Sequence, residues 1–288
     1  MKKILLGLGG LGAIVTMLPM LAAFEAHVVN VTATIENALS VPQRLIEFGT
    51  VFPQEHLDRS LLVALSRSFQ AEEDADDVEY IIRQKPKCAW SWQDAAGVWN
   101  IDEQSTQTGH PKLDAVDVPY IDCGVKVNVP ENPGDPTANP PVPPTGDGIP
   151  DNAKWGPLPL LCNYISKHPD GVDDGGVESD NDGSLNSFHQ AWTWNGRQLV
   201  WTDTSGRLAK SDNDTSDNWT IDLAVPCFGG YCAQDWADFV HSYDPQADPN
   251  AYTQPIENEH KVFGCDLWVE VTGVSRLSGQ NSGTSEQP

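Results

Sequence analysis

Four segments of the chain place apolar residues at every second position, and that pattern fits a half-buried β-strand. In "HVVNVTATIE", Val29, Val31, Ala33 and Ile35 share one face, against Asn30, Thr32, Thr34 and Glu36 on the other. In "DDVEYIIRQK", Val78, Tyr80 and Ile82 share a face, and in "WTIDLAVPC" so do Trp219, Ile221, Leu223 and Val225. In "CDLWVEVTG", Cys265, Leu267, Val269 and Val271 are expected to point inward, opposite Asp266, Trp268, Glu270 and Thr272. "LIEF" (Leu45–Phe48) and "SLLVALS" (Ser60–Ser66) read as two shorter strands. Helical patterning is scarce. Cys232, Trp236, Phe239 and Val240 fit one short amphipathic helix. "NAKWGPLPLLCNYIS" has room for one more turn, restricted by Pro157 and Pro159. Strands, turn-rich connections and one or two short helices predict a mainly β, jelly-roll-like β-sandwich with long acidic and Pro-rich loop insertions.

The chain has 288 residues. Lys2 and Lys3 precede an apolar run from Ile4 to Ala23 that ends in small residues. This reads as a signal peptide over 1–23, with an uncleaved anchor as the alternative and the only membrane contact expected. Residues 24–274 read as one sandwich domain carrying a Pro-rich insertion over 129–157, and 275–288 as a tail without core-forming residues. Behind an export signal, the six cysteines predict three disulfides among Cys88, Cys123, Cys162, Cys227, Cys232 and Cys265. Gly229 and Gly230 allow a tight loop between Cys227 and Cys232, which favours that pair; the rest cannot be matched by spacing. There is no Cys-x-x-Cys and the seven histidines are scattered, which argues against a zinc site. The location expected is secreted, on the cell surface or in a matrix.

Seventeen Lys and Arg face 41 Asp and Glu, for a formal net charge of −24. Such a surface repels phosphate backbones and excludes nucleic acid as a partner. It attracts cations, and two clusters offer hard oxygen ligands that suit calcium, the one cofactor the sequence suggests. "TGDGIPDN" offers Asp147, Asp151 and Asn152, and resembles a single copy of the aspartate-rich calcium repeats of thrombospondin-type modules. A second acidic stretch includes Asp180 and Asp182; it lacks the glutamate and flanking helices of an EF-hand. The alternative for both is a solvated acidic loop. No His-Glu-x-x-His and no Gly-x-Ser-x-Gly is present, and no catalytic site is found. Trp90, Trp92, Trp99, Trp192, Trp194 and Trp201 form two clusters that either pack in the sandwich or line a carbohydrate surface.

The corner "GTVFPQE" between "LIEF" and "SLLVALS" carries two apolar residues, Val51 and Phe52, and is expected to cross from one sheet to the other, with both residues plugging the core. The order of the "VNVTATI" strand, "FGTVFPQE" (Phe48–Glu55) and the closing "CDLWVEVTG" resembles the TasA/camelysin-like family of secreted fibre-forming proteins. Gln54 stands where that corner usually has Gly, and the acidic insertion and six cysteines are departures. The resemblance implies a non-enzymatic jelly-roll subunit whose partners are copies of itself. It further implies assembly by strand donation, with Val29, Val31, Ala33 and Ile35 as the donor's inward face. The same strand could instead pair within its own subunit. A monomeric carbohydrate- or calcium-binding module is the second function class, and a secreted hydrolase the third.

Overall fold

In a computed structural model, residues 36–114, 116–124, 148–169 and 182–276 are described. The strands, in chain order, are β1 (Leu39–Ser40), β2 (His56–Leu65), β3 (Ala75–Gln93), β4 (Trp99–Ile101), β5 (Gln107–Thr108), β6 (His110–Leu113), β7 (Pro119–Asp122), β8 (Lys154–Pro157), β9 (Ile165–Pro169), β10 (Trp192–Trp194), β11 (Leu199–Trp201), β12 (Asp203–Ala209), β13 (Ser216–Ala224) and β14 (Cys265–Arg276). Two short helices join them, α1 (Arg67–Ala71) and α2 (Trp236–Tyr243). Ser66 caps α1, its hydroxyl accepting from the Phe69 amide at 3.0 Å. Among the described residues no helix is long and apolar enough to cross a membrane.

Two antiparallel sheets make the sandwich. The first runs β1-β2-β13-β9; the second runs β12-β3-β14, with β4, β5 and β8 pairing the far half of β3. Alternation decides which side chains meet between them. Leu61, Val63 and Leu65 of β2 and Trp219, Ile221 and Leu223 of β13 face Val78, Tyr80 and Ile82 of β3, and all are buried. The sandwich is therefore as the periodicity predicts; the strand order does not establish a jelly roll.

Three expectations about the strands and helices need correction. Leu45–Phe48 forms no strand. The edge of β2 that it would pair is engaged by side chains: Gln43 Oε1 accepts from the Leu62 amide at 3.2 Å, and Arg59 Nε donates to the Glu47 carbonyl at 2.8 Å. Cys232 lies before α2, held in a loop by its bond to Cys227. The turn expected within "NAKWGPLPLLCNYIS" is present at Cys162–Tyr164, while Lys154–Pro157 of the same segment pairs with β3 as a strand that ends at Pro157. β14 continues to Arg276, two residues into the expected tail.

The disulfides are Cys88–Cys123, Cys162–Cys265 and Cys227–Cys232. Cys162–Cys265 joins the entrance of β9 to β14 across 103 residues of sequence and so staples the two sheets together. Three such bonds fit an extracellular or otherwise oxidising environment.

Two of the buried polar groups, Tyr80 and Lys167, bear on stability. Trp219 Nε1 donates to the Tyr80 hydroxyl at 2.7 Å, and that hydroxyl donates to the Asp217 carboxylate. Burial, reinforced by the Asp217 charge, holds the Tyr80 phenol above its usual range. Lys167 is fully buried opposite Ile221, and its ammonium has no hydrogen-bond partner among the described residues. Burial lowers it to about 7, only partly offset by Asp203. The unfolded lysine titrates near ~10.4. Between these values the unfolded chain binds the extra proton, so stability rises with pH across that window and the penalty is full below it. Lys167→Met is expected to stabilise the fold by ~2 kcal/mol or more at pH 6. It should also flatten the rise in melting temperature between pH 7 and 10; a variant that melts lower at pH 6 would contradict this.

Candidate functional site

The corner that opens onto the site is a type II turn. Phe52 accepts from the Glu55 amide at 3.1 Å, Pro53 takes the second position, and Gln54 has φ +67° at the third. Gln54 thus occupies the left-handed position that a glycine favours, and its side chain donates to Asp235 at 3.1 Å. Backbone bonds from Gln54 N to Val225 O (3.0 Å) and from Val225 N to Glu55 O (2.9 Å) fasten the turn to the end of β13. Val51 packs on the core as expected. Phe52 is 64% exposed, because it opens the turn and points away from it.

This corner borders a groove of about 1710 Å³ between the sheets. Leu61, Ile165, Ile221 and Leu223 of the first sheet form one wall, and Leu267 and Val269 of β14 the other. Val41 and residues 43–53 line a further side, where Ile46, Phe48 and Val51 pack against the core.

β14 is an edge strand. Among the described residues it pairs only with β3, and its register is regular from Cys265 to Val271 before bulges set in. Val271 is in register with Tyr80 and Val274 with Val78, so both share the core-facing side. Tyr80 and Val78 are fully buried, yet Val271 is 45% and Val274 53% exposed. This corrects the expectation that Val271 is covered: its register turns it inward, yet among the described residues it stays exposed. The outer edge of β2 differs: β1 pairs its last two residues, Ala64 and Leu65, and the Gln43 side chain takes the Leu62 amide. Long edges carrying apolar side chains are open to pairing with another strand.

The expected calcium ligands fall in separate places. Asp151 and Asn152 are exposed in a turn before β8, beside the far half of β3. Asp182 Oδ1 accepts from the Arg207 amide at 3.1 Å, beside its near half. Asp147 and Asp180 lie outside the described residues, as do the signal segment and Val29, Val31, Ala33 and Ile35.

The tryptophans mostly pack. Trp90 is buried against Trp155, and Trp192 meets Trp201 across the β10–β11 hairpin. The exposed ring of Trp268 is covered by the Lys85 ammonium, 3.3 Å from its centroid, which Glu270 holds at 2.7 Å. A cation therefore takes the aromatic face that a sugar would need. Sequence reasoning missed two features: the uncovered side of β14, and a meeting of His56 with Asp58 and Asp222. Neither carries a local signal, because both depend on which strands become neighbours. No protein-family model, curated protein or solved structure matches the chain.

Proposed function

We propose that the chain is an exported, non-enzymatic structural protein, a subunit of an extracellular or cell-surface fibre or matrix that assembles by β-strand complementation. The observation that carries this reading is the free edge of β14, with core-facing Val271 and Val274 left exposed beside an apolar groove. A strand from a second copy would supply the missing hydrogen-bond partners and cover those side chains. The segment Val29–Ile35 suits that role. It alternates, it precedes β1, and it matches in length the regular stretch Cys265–Val271. Its likeness to the TasA/camelysin-like pattern points the same way, as does a disulfide set suited to an oxidising exterior. A jelly-roll subunit is part of this proposal.

Light scattering and negative-stain microscopy on the protein freed of residues 1–23 test it. Filaments or a growing mass with concentration are expected. A strict monomer at high concentration would contradict it.

A further inference from the structure

We propose that His56, Asp58 and Asp222 bind one divalent transition-metal ion of the zinc class on the outer face of the first sheet. The odd-numbered residues of β2 and β13 fill the core, so their even-numbered neighbours point the other way. Asp58 pairs directly with Asp222, and His56 with Ala224. His168 of β9, in register with Thr220, joins the same face. Residues far apart in sequence thus meet on three adjacent strands.

The spacing fits a metal. His56 Nε2 lies 3.4 Å from Asp58 Oδ1 and 3.5 Å from Asp222 Oδ2. One ligand atom from each of the three residues lies within 4.8 Å of the others. Tetrahedral zinc with bonds of about 2.0–2.1 Å needs ligand–ligand edges of about 3.3–3.4 Å. His168 Nε2, 3.7 Å from the same Asp222 oxygen, offers a further nitrogen at the edge of the site.

Four features support a bound cation over a simple ion-pair cluster. Two carboxylates stand directly opposite each other across a strand pair, an arrangement that costs stability when like charges are left facing. Among the described residues, the ion pairs of Asp58 and Asp222 are with imidazoles alone. Asp222 is mostly buried and is oriented as a ligand: Ser187 donates to Oδ1 at 3.3 Å, leaving Oδ2 toward His56. Ser166, in register with Asp222 on the same face, buries a hydroxyl that has no hydrogen-bond partner. A three-ligand site keeps a fourth position for water, which would give that hydroxyl a polar neighbour. The two carboxylates balance a doubly charged ion, and the imidazole nitrogen favours the zinc class over calcium, which takes oxygen ligands.

The groove lies on the opposite face of this sheet, so metal binding and assembly can fail separately. Isothermal titration of the purified protein with zinc chloride is the test. One equivalent is expected to bind, with affinity at least tenfold lower in His56→Ala and in Asp58→Asn. Both side chains are partly exposed, at 36% and 61%, and circular dichroism should show both variants folded. Zinc should raise the melting temperature of the wild type, and calcium should not compete. No zinc binding, or binding unchanged in both variants, would overturn the site and leave only imidazole–carboxylate ion pairs.

Discussion

Removing residues 27–36 is expected to turn an assembling protein into a monomer, and adding those residues back as a peptide to restore one-to-one occupancy of the groove. β14 is the acceptor strand. Its free edge runs along Cys265–Arg276 with its amides and carbonyls on that side unpaired among the described residues, and Val271 and Val274 remain exposed on the core side. An incoming strand gains main-chain bonds at each second residue and buries Val29, Val31, Ala33 and Ile35 in one step. Burying a Val or Ile is worth about 1.5–3 kcal/mol. Deleting the donor removes all of these gains at once, so the effect on assembly should be near total. A peptide carrying Val31→Lys places a charge in the apolar groove and should not bind. Sedimentation of the truncated chain, with and without each peptide, checks this. Filaments formed by the truncated chain would refute strand donation from this segment.

Gly206→Ala is expected to destabilise the fold by about 3–5 kcal/mol, from overpacking plus loss of a buried hydrogen bond. Gly206 is directly in register with Tyr80, and the Tyr80 ring lies on it so closely that an added Cβ would overlap the ring at Cζ and the hydroxyl. Gly206 lacks a side chain so that this aromatic can cross to the other sheet. Moving the ring would pull the hydroxyl from Asp217 and from Trp219 Nε1 in the centre of the core. Tyr80→Phe keeps the ring and removes only the hydroxyl, so it should cost less, about 1–3 kcal/mol. For a chain of this size the glycine variant should melt on the order of 10 °C lower. Scanning calorimetry decides it: a shift of a degree or two would mean that the ring relocates without consequence.

The sandwich was legible because its central strands bury one face. In β3, Val78, Tyr80 and Ile82 fall at every second position and are buried, and in β13 Trp219, Ile221 and Leu223 do the same. Periodicity reports which way a side chain points, and there its reach ends. Val271 points inward as the pattern requires, but its exposure depends on whether another strand lies above it. "LIEF" has the composition of a strand and forms none, because the side chains of Gln43 and Arg59 occupy the edge it would use. Lys167 looks like a surface residue in sequence, and only the β9–β13 register turns it into the core. The His56, Asp58 and Asp222 group was invisible for the same reason: strand register, far from local spacing, assembles it. The corner is the exception in the other direction. Gln54 at the expected glycine position adopts the left-handed conformation that a type II turn demands there.

Amide hydrogen exchange along β14, compared between the assembled protein and the chain lacking residues 27–36, tests the central claim most directly. The account predicts that amides of Cys265–Val271 facing away from β3 are slow in the assembly and fast in the truncated chain, while those bonded to β3 stay slow in both. Equal, rapid exchange of the outward amides in both samples, with assembly intact, would contradict it.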